Sequence, residues 1–321
     1  MRKFVEIFIM YLQNCYKGKN DWYVYLIGVL VIMSFYFIGQ LPLTGVIFYK
    51  MATTGGISEK QMTDFQNSMD FESLGISSNT GLILMILIFF FAMAGLMLAL
   101  KIHHKKLVDL INSTGHIRFS RIFTGFAVWI VIGAVFEVVS YFLSPASYRF
   151  TFDFQKFIPL LIISCLMLPV QTSFEELFFR GYIMQGIYSR SRNILASLVV
   201  SSVLFALMHS ANPEIAKFGY LPMMTYYFAA GLFLALVSIF DDGLELALGI
   251  HAATNIYGAT ILTYSGSVLQ TDTVFKVETI DPWMMLGVFL ISAVISILFF
   301  SRFYRWDMNN ALNQKPEDPN V

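Results

Sequence analysis

Long apolar stretches separated by short polar ones make up most of this chain. Eight of them approach the roughly 20 residues that cross about 30 Å of hydrocarbon as a helix. They fall at about 22–40, 81–100, 122–143, 158–185, 194–211, 222–240, 244–264 and 282–303. The runs are too continuous for the alternating strands of an outer-membrane barrel, and in lipid a helix satisfies its own backbone groups. The pattern therefore predicts an all-α polytopic bundle of about eight transmembrane helices over 22–303, with a polar-studded core at 157–264. Residues 1–21 form a cytoplasmic or interfacial segment in this reading: Glu6 interrupts the opening apolar stretch and no small-residue cleavage site follows, so it is not a signal peptide. Residues 304–321 form a polar tail whose Pro-containing end, 313–321, is expected to be disordered. The longest connection, about 41–80, is polar and rich in Gly, Ser and Thr, too short for a separate catalytic domain. Any chemistry is expected within the membrane.

Composition supports this and excludes other classes. Of 321 residues, 57% are hydrophobic and 13% charged, far below the charge content of about 25% in soluble domains. Lys plus Arg equals Asp plus Glu at 21 each, so the charge balance points to no nucleic-acid partner. Most of the cations fall in segments that share one side if the amino terminus is inside. Both termini are thus expected in the cytoplasm, as the positive-inside rule requires. Two cysteines, Cys15 and Cys165, do not make a disulfide framework.

Ionisable groups inside spanning helices are costly, so each is a functional candidate weighed against a satisfied structural polar group. In QTSFEELFFRGYIMQ, Glu175 and Glu176 are neighbours, and Arg180 lies one turn after Glu176 on the same face. Glu176 thus has a partner, whereas Glu175 has no cation and is the better general base. Phe205 and His209 are one turn apart in the fifth stretch, as are His251 and Asn255 in the seventh. The His and Asn pair can aim two donors at one point, as an oxyanion site requires. A lone membrane histidine is more often a packing residue; two histidines, an asparagine and two glutamates on three helices improve the case for chemistry.

These residues resemble the CPBP membrane proteases, which include the type II CAAX prenyl endopeptidases and the group once called Abi. The family signature is Glu-Glu-x-x-x-Arg, then Phe-x-x-x-His, then His-x-x-x-Asn or Asp, and all three motifs are present in order between 175 and 255. Residues 1–120 carry no matching motif. The resemblance implies an intramembrane endopeptidase acting on a peptide or membrane-associated protein, in the cell membrane of a prokaryote. Glu175 with His209 would activate water and His251 with Asn255 would support the oxyanion. Glu176, Arg180 and Phe205 would support the site.

A metal-independent mechanism with no cofactor is the expectation, since no His-Glu-x-x-His is present. Zinc stays open as an alternative, drawn from Glu175, His209 and His251. Two rival functions also remain: a non-catalytic immunity or partner-binding protein, and a proton-coupled transporter, against which the lack of evident inverted repeats counts.

Depth poses a difficulty. If the fourth crossing began at Phe157, Glu175 would lie about 27 Å further on, near the far face. A crossing shifted toward the carboxyl side, with Arg180 buried, resolves this; a helix broken around Pro169 is the other solution. Glu137 is kept outside the site. His103, His104 and His116, among Lys101, Lys105, Lys106, Arg118 and Arg121, are expected on a solvated basic loop, and Asp241 and Asp242 in a simple turn.

Overall fold

The computed structural model describes residues 11–53 and 56–313, which are almost wholly helical. The helices are α1 Trp22–Gly39, α2 Leu41–Thr53, α3 Glu59–Ser68, α4 Ser78–His103, α5 Leu107–Ile111, α6 Phe119–Leu143 and α7 Phe154–Glu176. They continue as α8 Met184–Ser191, α9 Ile194–Met208, α10 Pro213–Phe218, α11 Tyr220–Phe240, α12 Glu245–Thr260, α13 Pro282–Tyr304 and α14 Met308–Asn313. Each of the eight apolar stretches holds a helix. Among the described residues six helical spans are long and apolar enough to cross a membrane: Trp22–Thr53, Ser78–His103, Phe119–Leu143, Phe154–Ser191, Tyr220–Phe240 and Pro282–Tyr304. The protein is therefore a multi-pass membrane protein by length and composition. The helices of the other two apolar stretches, α9 with 15 residues and α12 with 16, are shorter and carry or adjoin the histidine motifs.

The fourth span is the longest at 38 residues, about 57 Å at 1.5 Å per residue. It exceeds the hydrocarbon thickness, so Glu175 lies well inside a long rod instead of at the end of a crossing. Helix α7 runs on through Pro159 and Pro169; the irregularity is a π-helical stretch, Leu177–Ile183, directly after Glu176. Such insertions recur where a helix must re-aim side chains at a site.

Helix α12 is placed by close approach to α6. A Cβ on Gly125 or Gly249 would collide with the carbonyl oxygen of Leu246 or Ile122, so the two backbones touch as small residues allow in membrane bundles. At the end of the bundle holding the α9–α10 turn, a small sheet of β1 Tyr148–Phe150, β2 Leu262–Tyr264 and β3 Phe275–Val277 forms in the order β1-β3-β2. Strand β3 pairs antiparallel with β1, Arg149 opposite Lys276, and parallel with β2, Thr263 opposite Lys276.

Three expectations need correction. The 41–80 connection is not a featureless loop: it holds α2, α3 and a 3-10 turn, Phe71–Leu74, around an apolar cluster of Phe65, Phe71, Leu74 and Ile76. The basic segment is not a solvated surface throughout. His103 ends α4 fully buried, bonded to the Tyr182 hydroxyl at 2.7 Å and the Lys19 carbonyl at 2.6 Å. Lys105 is buried too, donating to the Cys15 carbonyl and the Tyr25 hydroxyl, and burial draws its ammonium down to about 8.

Nor is Asp241–Asp242 a simple turn. Arg118 and Arg121 both pair with Asp241, Arg118 also binds Glu245 at 2.5 Å, and Asp242 accepts from the Tyr11 amide and Ser113. These contacts tie a 3-10 turn at Tyr11–Tyr16 to the α11–α12 turn. Of the segment expected at the interface over 1–21, residues 1–10 lie outside the described residues, while Tyr11, Leu12 and Cys15 are buried against the bundle; of the polar tail at 304–321, Met308–Asn313 is helical and 314–321 lie outside the described residues.

Candidate active site

Two adjacent carboxyls meet different surroundings because α7 turns about 100° between them. Glu176 is fully buried, and its Oε1 accepts from Arg180 Nη1 at 2.9 Å and from His251 Nδ1 at 2.6 Å. Arg180, equally buried, gives Nη2 to the Gly231 carbonyl at 3.1 Å and lies 4.3 Å over the Phe205 ring. The pairing expected of Glu176 and Arg180 is present, and the same carboxylate also holds His251. This third member could not be read from helix spacing, because it arrives from α12, 75 residues away.

Glu175 forms no ion pair with Arg180. Its Oε1 accepts from Gln171 Nε2 at 3.2 Å, and its Oε2 lies 3.6 Å from His251 Nε2. His251 thus spans the two acids, Nδ1 toward Glu176 and Nε2 toward Glu175. The close Nδ1 contact is to an acceptor carboxylate, so Nδ1 carries a proton and the ring plane is fixed.

His209 stands at the carboxyl end of α9. Its Nδ1 is 2.8 Å from the Phe205 carbonyl, an oxygen that can only accept, so Nδ1 bears hydrogen and a neutral ring leaves Nε2 as a base. Phe205 packs on one side of this imidazole, centroids 4.4 Å apart, and Tyr227 stacks on it at 4.5 Å and 28°. Phe205 therefore supports two charged or polar groups at once, Arg180 and His209.

A cavity of about 440 Å³ joins the set. Glu175, His209, His251 and Asn255 all line it, while Glu176 and Arg180 stand behind the wall. The rest of its surface is mostly aromatic and methionine side chains, which suits an apolar segment. Further polar groups of the wall were not singled out in the sequence, Gln171, Asn212, Glu214 and Tyr227 among them. The run His209-Ser-Ala-Asn-Pro-Glu214 carried that signal, but Asn-Pro reads as turn chemistry. Glu137, kept outside the site, lines a neighbouring pocket of about 230 Å³ between α6, α12 and α13, and the Tyr148 hydroxyl bonds to it.

Among the described residues no three His, Cys, Asp or Glu side chains gather as a metal-ligand set. Glu175, His209 and His251 share a wall without converging on one point in the manner of zinc ligands, and no step is derived through a metal.

Residues 154–257 match the family described as type II CAAX prenyl endopeptidase Rce1-like. Over that segment the chain is similar to this family. The Rce1-like segment begins with α7 and ends just past Asn255, so it contains every motif residue of the cavity. An uncharacterized protein of Bacillus subtilis (strain 168), YyaK, is 27% identical over 255 residues, covering 78% of this chain and 82% of YyaK. No solved structure matches the chain.

Proposed function

We propose that this protein is an intramembrane endopeptidase that hydrolyses a peptide bond with a water molecule activated by Glu175 and His209. One observation carries the reading: an acid with no Lys or Arg partner among the described residues, two oriented imidazoles and an amide, from three helices, line one cavity. Water enters that cavity, and Glu175 takes its proton as oxygen attacks the scissile carbonyl, with His209 Nε2 steering the water. Negative charge moves to the carbonyl oxygen, where protonated His251 and the Asn255 amide donate to it. The Glu176 carboxylate behind His251 holds its Nδ1 hydrogen and aims Nε2 into the cavity. Collapse breaks the C–N bond, and the proton held by Glu175 passes to the leaving amine.

The substrate in this reading is a peptide or membrane-associated protein whose apolar segment lies against the aromatic wall. The catalytic set is Glu175, His209, His251 and Asn255, supported by Glu176, Arg180 and Phe205. The protein resides in a prokaryotic cell membrane with both termini inside.

The test is profiling of new protein termini in membranes of cells expressing the chain, against membranes expressing an E175Q variant. Termini specific to the active chain support the reading; identical profiles at equal expression sink it. Cleavage in proteoliposomes is further expected to persist with a strong chelator present. Loss on chelation with recovery on added zinc would overturn the metal-independent mechanism.

A further inference from the structure

Among the described residues of the cavity wall, Glu214 is the one acid that the proposed reaction does not use. It follows His209 by five residues, in α10, and only 2% of it is exposed. Its Oε1 accepts from the Val268 amide at 2.7 Å, in a loop braced by Thr263, Gln270 and Thr271 hydrogen bonds to main-chain carbonyls. Its Oε2 makes no full hydrogen bond, and the hydroxyls of Tyr227 and Tyr264 face the carboxyl. Burial raises the Glu214 carboxyl above the ordinary glutamate range.

Tyr227 connects this acid to the proposed catalytic imidazole. Its ring stacks on His209, and its hydroxyl accepts from Asn212 Nδ2 at 3.0 Å. Because that hydroxyl is already an acceptor on the Asn212 side, its own hydrogen is free to point at the Glu214 carboxyl. The turn after α9 thus supplies three parts of one device: His209, the Asn212 that holds the tyrosine from one side, and the Glu214 that holds it from the other.

We propose that Glu214 is a positioning residue which, through the Tyr227 hydroxyl, fixes the plane of the His209 imidazole over the cavity. The effect on rate rests on the peptidase reading; the effect on the ring does not. A stacked pair leaves each ring free to slide and turn in its plane unless something pins a polar tip. Val268 pins the acid, the acid and Asn212 pin the phenol, and the phenol face together with the Phe205 carbonyl pins the imidazole.

The group is held at a cost to stability, which gives the first expectation. A carboxyl whose folded-state value is raised favours folding only while it is protonated. Its penalty is absent below the ordinary glutamate value of 4.5, grows as pH rises through the raised value and stays constant above it. Among the described residues no Lys or Arg is paired with it, and the titratable groups facing it are Tyr226, Tyr227 and Tyr264. E214Q, which can still accept from Val268, is therefore expected to melt higher than the parent protein at pH 7–8 in detergent, with the gain gone near pH 4.

The deciding experiment reads His209 directly, from ¹⁵N-histidine spectra of the protein in detergent micelles, alongside cleavage kinetics. E214Q and Y227F are expected to shift the His209 resonances alike, with no further shift in the double variant. Each should lower kcat by about tenfold, the order of one lost catalytic hydrogen bond, with KM within about twofold. E214D, which keeps the charge, should recover part of the rate and also serves if a neutral variant fails to fold. Unmoved His209 resonances in both variants, or a raised KM with kcat intact, overturn the proposal. Moved resonances in a protein that cleaves nothing would leave the positioning role standing and remove the peptidase reading instead.

Discussion

Changing Glu175 to glutamine is expected to reduce cleavage by about 10²- to 10⁴-fold, the usual contribution of a positioned general base, while the protein inserts and purifies as before. The two halves of this expectation have separate grounds. Chemically, the amide cannot take the proton from water, and among the described residues the nearby carboxyls are engaged elsewhere: Glu176 is committed to Arg180 and His251, and Glu214 is turned to Val268. Structurally, Glu175 contributes little to the fold, since its contacts are a 3.2 Å bond from Gln171 and a 3.6 Å approach to His251. Glutamine keeps an acceptor for Gln171 and removes a charge from an apolar wall. Initial rates in proteoliposomes, beside elution as a single species in detergent, check both halves. H209A should be similarly inactive, although it also removes the ring between Phe205 and Tyr227 and is the less clean variant. Full activity in E175Q would sink the proposed mechanism.

Sequence reading succeeded where the cause was local and failed where partners came from far along the chain. The helices follow from apolar run length, which one stretch of sequence carries whole, and the Glu176–Arg180 pair follows from one-turn spacing. The role of Glu176 toward His251 could not follow, because α7 and α12 meet only through tertiary packing, with Gly125 and Gly249 letting α6 and α12 close. The acidic 241–245 turn was underestimated for the same reason, its partner Arg118 lying 123 residues from Asp241. His103 and Lys105 were misplaced because a run of cations looks solvated in sequence, whereas Tyr25 and Tyr182 enclose them. The π-helical stretch has no periodic signature: one extra residue in a turn is decided by what the turn packs against.

Losing Arg180 should damage folding before it affects chemistry. R180M leaves the Glu176 carboxylate fully buried with His251 as its remaining partner, in a bundle interior where no bulk water replaces the guanidinium. Breaking a buried pair by removing one partner costs about 3–5 kcal/mol, a large share of the roughly 5–15 kcal/mol that holds a typical domain together. The expected result is a strong fall in monodisperse yield and a lower melting midpoint. R180K should fall between: it keeps a positive charge, but its single ammonium cannot serve the Glu176 carboxylate and the Gly231 carbonyl from a planar fork while lying flat on Phe205. The double variant E176Q/R180M separates the two duties of the pair. Removing both charges should restore much of the yield lost in R180M, since no uncompensated ion remains. It should not restore cleavage, because the carboxylate that orients His251 is gone. If R180M instead melts like the parent protein and cleaves at a reduced rate, Arg180 acts on the reaction and not on the fold, and the division of labour between the two glutamates must be redrawn.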